Sequence, residues 1–150
     1  MAIKRKEKQK ISKNKMNAEE VKCSQYVSFS FRYLTTNNDH NFKGIKDKNK
    51  KNKMYEDLNE RLQEISSDTY KYWTSQDKRR GMTTIPYSKL KFSWQGNPKF
   101  RDKLLTKDQP VYKFRFGNQD YRLLGIKIGS CSTFYIIGFD FNFSAYDHGS

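Results

Sequence analysis

The side chains through which this chain could do chemistry gather mostly between Pro110 and His148. That stretch reads PVYKFRFGNQDYRLLGIKIGSCSTFYIIGFDFNFSAYDH and closes on Tyr146-Asp147-His148, a phenol, a carboxylate and an imidazole side by side. An imidazole titrates close to neutrality and can take or give a proton there. The other histidine, His40, sits in TTNNDHN, a loop composition that predicts a solvated ring. The two cysteines, Cys23 and Cys131, are far apart, so neither a disulfide framework nor zinc-ligand spacing is present. They predict a reduced, cytoplasmic protein. Cys131 lies beside a turn as an exposed thiol with no identifiable basic partner. Walker and GxGxxG phosphate loops are missing, and Gly117, Gly125, Gly129 and Gly138 read as turn or strand glycines. No metal and no cofactor are therefore expected.

What the chain has in abundance is positive charge. The formal balance over its 150 residues is +14. Residues 1–53 carry 15 Lys and Arg against 5 acids, and residues 78–127 carry 13 against 3. Residues 54–77 reverse the sign, with 2 against 6. Two basic segments flanking an acidic one point to a polyanion partner, most simply RNA or DNA. A compositional source competes with this reading. Lysine (22) far outnumbers arginine (8), and asparagine occurs 11 times, as an AT-rich genome would impose whatever the function. The longest apolar run, Phe134 to Phe139, is far short of the roughly 20 residues that cross a bilayer, so no membrane span is expected. No apolar stretch follows the basic start, so no signal peptide is expected either.

The length fits one domain. Residues 1–17 hold seven basic residues and little to bury, which predicts a disordered or partner-ordered arm. The remainder, 18–150, reads as a single α+β domain. Asn17 to Val21 suggests a short helical start. Tyr26 to Leu34 alternates Val27, Phe29 and Phe31 with Ser28, Ser30 and Arg32, which predicts a half-buried strand. Residues 40–53 read as an exposed lysine-rich loop. Between Met54 and Gln76, Leu58, Leu62, Ile65, Thr69 and Tyr72 with Trp73 share one helical face. Ser66-Ser67-Asp68 divides that segment into a helical hairpin by offering a cap for a second helix. Tyr87 to Trp94 alternates a basic and an apolar face and predicts a strand; Lys99 to Gln109 reads as a polar connection. Val111 to Phe116, Tyr121 to Ile128 and Thr133 to Phe139 then form a β-meander, its first turn marked by Gly117-Asn118.

The order of strand, helix pair, basic strand and meander with an aromatic tail resembles the RelE/ParE superfamily of bacterial toxins. The residues that carry the likeness are Tyr87 to Phe92, Tyr121-Arg122-Leu123-Leu124-Gly125, Phe134-Tyr135-Ile136-Ile137 and the terminal Tyr146-Asp147-His148. It covers roughly residues 26–148. Small proteins of phages and mobile elements share this layout. The resemblance implies a twisted antiparallel sheet, ribosome-dependent mRNA cleavage, RNA or the ribosome as partner, and an antitoxin that neutralises the protein. By position, Arg122 matches the family's strand arginine, and Tyr146 and His148 match the terminal pair. Lys91 and Arg115 are further basic groups on the sheet. The chain departs from the family in its N-terminal arm and lysine-rich loop, and in Asp140 and Asp147, which stand where basic residues are usual.

Cleavage by internal 2′-hydroxyl attack needs a base, an acid and a cation facing the charged phosphorane. His148 could serve as base or acid, Arg122 could hold the phosphate with paired hydrogen bonds, and Tyr146 could stack or donate a proton. Lys89, Lys91 and Arg115 with Lys78, Arg79 and Arg80 form a nucleic-acid-binding set, and Lys48, Lys50 and Lys51 extend it into the lysine-rich loop. The bland counterpart is that Arg122 pairs with Asp140 or Asp120 and that His148 lies in a loose tail. A second class of function stays open: a non-catalytic nucleic-acid- or host-protein-binding protein of a phage, mobile element or defence locus.

Overall fold

The computed structural model describes residues 25–149. The arm over 1–17 and the helical start at Asn17–Val21 lie outside them. The fold is α+β: five strands in the order β1-β5-β4-β3-β2, with helices on both faces. The strands are β1 Ser28–Ser30, β2 Thr83–Pro86, β3 Pro110–Phe116, β4 Tyr121–Ile126 and β5 Thr133–Asp140; the helices are α1 Lys48–Ser66, α2 Tyr70–Ser75 and α3 Pro98–Leu104. The meander β3-β4-β5 is antiparallel, as the alternating pattern predicts. The sheet as a whole is mixed rather than antiparallel, because β1 runs parallel to β5.

The α1–α2 hairpin forms where the apolar stripe places it. Met54, Leu58 and Ile65 are buried against Phe114, Leu123, Phe134 and Phe139 of the sheet. The cap of α2 is Thr69, whose Oγ1 accepts from Tyr72 N–H at 3.2 Å, and not Ser66, Ser67 or Asp68. Trp73 joins the two helices by donating its indole N–H to the Ile65 carbonyl at 2.8 Å. Helix α1 also starts earlier than the stripe suggests. Asp47 accepts from Lys50 N–H at 2.8 Å, so Lys48 to Lys53 are helical and only 40–47 is loop. A carboxylate at the cap offsets Lys48, Lys50 and Lys51, which sit unfavourably in the first turn at the positive end of the helix dipole.

Three further expectations are corrected. The strand predicted over Tyr26–Leu34 shrinks to Ser28–Ser30. A turn that joins Leu34 N–H to the Phe31 carbonyl then carries Tyr33 over to the opposite face. The strand predicted over Tyr87–Trp94 is a single 3₁₀ turn at Tyr87–Lys89 followed by coil; the edge strand is the preceding Thr83–Pro86. Pro86 pairs with Pro110, and past them Tyr87 N–H still donates to the Gln109 carbonyl at 2.9 Å; the regular ladder stops because Gln109 N–H turns back to the Thr106 carbonyl and the Tyr87 carbonyl accepts from Leu90 N–H in the 3₁₀ turn. The alternation that mimicked a strand is real from Leu90 on: Leu90, Phe92 and Trp94 pack over the second face of the sheet with Tyr33, Val111, Ile126 and Ile137, and Tyr87, which the alternation puts on the basic face, packs there with them. Finally, the connection after Lys99 contains α3, begun by Pro98 and capped by Asn97.

His40 is not solvated. It is 5% exposed, its Nδ1 lies 2.9 Å from the Phe139 carbonyl, and its ring stacks on Phe92 at 3.9 Å. Among the described residues, no helix is long and apolar enough to cross a membrane.

Candidate phosphate-binding cleft

The site is built on the sheet face opposite α1. Strand alternation sends Tyr112, Phe114 and Phe116 toward the helices and Lys113 and Arg115 the other way. On β4, Leu123 faces the helices while Arg122 and Leu124 share the opposite face, and Arg115 stands directly across from Arg122. The place of Asp140 depends on an irregularity. Leu124 pairs with Gly138 and Gly125 with Ile136, which leaves Ile137 as an extra residue in β5. Before this bulge, Phe134 and Ile136 face the helices; after it, Phe139 does. One extra residue reverses the parity, so Asp140 stands across from Arg122 on the cleft face instead of entering the helix-packed core.

The C-terminal segment closes over this face. Lys91 N–H donates to the Ala145 carbonyl at 2.7 Å and Tyr146 bridges to Leu90, fixing the tail against the 87–94 coil. The result is a cleft of about 370 Å³ in which Lys78, Lys113, Arg115, Arg122, Tyr146 and His148 meet. Asp147 and β2 complete its wall.

Three predicted chemical residues therefore converge, with altered roles. His148 is not in a loose tail. Its Nε2 lies 2.8 Å from Asp140 Oδ2, and its ring stacks on Tyr146 with centroids 3.9 Å apart. Tyr146 is only 5% exposed, one face against His148 and Lys113 Nζ 4.4 Å from its centroid, so it supports neighbours and does not offer a surface to a base. Burial raises its phenol pKa, against the lowering influence of Arg122, and keeps the hydroxyl protonated. Arg122 does not pair with Asp140 or Asp120. Its Nη1 donates to the Gln119 and Tyr121 carbonyls at 2.6 and 3.1 Å, and the guanidinium lies 5.3 Å from the Phe143 ring centroid.

The remaining basic residues divide. Lys78 and Arg115 line the cleft. Arg79 and Arg80 line an adjoining one that shares Arg115 and includes Glu64 and Asp77. Lys89 and Lys91 are exposed on the coil that covers the sheet, and neither lines the cleft. Lys48, Lys50 and Lys51 occupy the first turn of α1, also outside it.

The residue that sequence reasoning passed over is Lys113. It is half-buried, and burial first, then Arg122, Arg115 and Lys78, lowers its pKa from 10.5 to about 8. The signal was the β3 alternation, which already puts Lys113 on the face of Arg115. Among the described residues, no three His, Cys, Asp or Glu side chains converge to hold a metal ion. Comparison with protein-family models, curated proteins and solved structures gives no match.

Proposed function

We propose that this chain is a RelE-like RNA-binding protein that cleaves RNA by internal 2′-hydroxyl attack, with mRNA on the ribosome as its substrate. The observation that carries the proposal is the convergence of one imidazole and four cations, Lys78, Lys113, Arg115 and Arg122, in a single cleft. An RNA phosphodiester lying there meets charge of the opposite sign on several sides, Lys113, Arg115 and Arg122 standing on β3 and β4 and Lys78 on the turn before β2.

In the proposed reaction the 2′-hydroxyl proton passes to Nδ1 of His148 as the 2′ oxygen attacks phosphorus. The bond from phosphorus to the 5′ oxygen breaks. That oxygen takes a proton from the Lys113 ammonium, whose pKa of about 8 makes it a better acid at neutral pH than the Tyr146 phenol. Arg115 and Arg122 face the charge that builds on the phosphorane oxygens. The products are a 2′,3′-cyclic phosphate and a 5′-hydroxyl. A DNA strand, with no 2′-hydroxyl, would bind and remain whole.

Induced expression of the wild type beside the Arg122→Ala/His148→Ala variant tests this, with growth and total mRNA integrity as readouts and circular dichroism to check folding. Growth arrest and mRNA loss that the double variant relieves would support the reading. Normal growth with intact mRNA and a well-expressed wild type would sink it. If purified protein bound RNA with a steep salt dependence and left it intact, the chain would instead be a non-catalytic binding protein.

A further inference from the structure

We propose that Asp140 is the positioning residue for His148, setting which of its two nitrogens carries the proton. The inference rests on the cleavage reading for its consequence, but its geometry stands apart from it. Asp140 is 1% exposed, and both carboxylate oxygens are engaged: Oδ2 with His148 Nε2 at 2.8 Å and Oδ1 with Ser144 N–H at 3.1 Å. A carboxylate only accepts hydrogen bonds, so a neutral imidazole facing it must hold its proton on Nε2. Nδ1 is then left with its lone pair and has no protein partner among the described residues. That is the nitrogen the proposed reaction uses as base.

The same carboxylate also sets where the ring can lie. It ties Ser144, four residues on, and His148, eight residues on, to the end of β5. The His148 ring has Tyr146 stacked on its face and the Phe143 ring against it edge to face at 5.0 Å. A buried acid is costly unless it is paired and hydrogen-bonded. The bulge at Ile137 is what puts this one beside the tail and not in the apolar helix-packed core. One irregular residue in a strand thus brings an acid to the back of an imidazole, the arrangement by which carboxylates hold a catalytic histidine in one tautomer and orientation.

The test uses the full chain, its Asp140→Asn variant, and long-range proton–nitrogen NMR of the two histidines at a pH where both are neutral. The His148 signals are identified by their loss in His148→Gln. The expected wild-type spectrum has His148 protonated at Nε2 and bare at Nδ1. An Nδ1-protonated His148 in the wild type would overturn the inference, and this measurement does not depend on the variant folding. In Asp140→Asn, whose amide can turn its NH₂ toward the ring, the Nε2-protonated form should lose its dominance. With an RNA substrate, kcat should fall about 100-fold while KM holds. Unchanged kcat in a folded Asp140→Asn protein would refute the role while leaving RNA cleavage intact. Wild type that shows the Nε2 tautomer but leaves RNA uncut would sink the cleavage reading and keep the Asp140–His148 coupling.

Discussion

Lys113 offers the sharpest quantitative test. Its pKa is lowered to about 8, by burial first and then by Arg122, Arg115 and Lys78. If a bound RNA phosphate requires the ammonium form, affinity follows the fraction of Lys113 protonated. That fraction is about nine-tenths at pH 7 and about one-tenth at pH 9, so affinity should fall about tenfold across the interval. Lys113→Arg keeps the charge at both pH values and should bind with little pH dependence. Lys113→Met should bind weakly and equally at both. The assay is fluorescence anisotropy with a short single-stranded RNA at constant ionic strength; comparing each variant with wild type removes groups that titrate in common. Stability moves the other way. The folded pKa lies below the unfolded value, so between about pH 8 and 10.5 the unfolded chain holds the extra proton, and stability rises with pH through that window. The cost of the buried charge is present in full below pH 8. Wild-type affinity that is flat from pH 7 to 9, or a Lys113→Arg variant that retains the tenfold fall, would refute the reasoning.

Four other outcomes follow from the packing. His40→Ala removes a 5%-exposed ring stacked on Phe92 and leaves the Phe139 carbonyl without its side-chain partner; it should cost about 2–4 kcal/mol in chemical denaturation without moving RNA affinity. Gly125→Ala puts a methyl into the Phe134 ring at the bulge, an overpacking expected to cost about 1–3 kcal/mol and to lower the melting temperature by several degrees. Tyr146→Phe keeps the ring that His148 and Lys113 rest on and should retain most of any cleavage rate, whereas Tyr146→Ala should lose it, as measured by initial rates on one substrate. Arg115→Ala should flatten the dependence of log affinity on log salt by about 0.7 for single-stranded RNA, while Lys89→Ala and Lys91→Ala should leave the slope near the wild-type value.

Where the sequence was legible, the pattern and the packing had one cause. The meander shows plainly because Tyr112, Phe114 and Phe116 must enter the core and Lys113 and Arg115 must not. Its first turn shows because few residues other than glycine and asparagine accept positive φ, and Gly117 and Asn118 have φ of 60° and 59°. The helical hairpin shows through its apolar stripe. Tyr87 to Trp94 misleads because a period-two pattern does not by itself imply ladder hydrogen bonds. A coil laid across a sheet can bury every second side chain equally well, and what ends the ladder there is that Gln109 N–H turns back to the Thr106 carbonyl while the Tyr87 carbonyl accepts from Leu90 N–H. His40 misleads for a related reason. Its neighbours are loop formers, yet the segment lies under Phe92 and against the backbone of Phe139, contacts that no local window contains.

Asp140 is the instructive case, because its parity can be worked out and gives the wrong face. Counting by twos from Phe134 through Ile136 puts position 140 among the helix-facing residues, where an unpaired carboxylate would carry a severe desolvation cost. The sequence around it, IIGFDF, supplies both the difficulty and its remedy: the bulge makes Ile137 and Gly138 share the cleft face, and every later residue changes sides. Phe139 then enters the helix core at 0% exposed, and Asp140 meets His148. Burying Phe139 and keeping Asp140 out of that core both favour the bulged register, since the regular one exchanges the two residues. Folding energy and the candidate chemistry thus depend on the same irregular residue, and the acid that stood out in the sequence as a departure from the resembling family is the group that holds the imidazole.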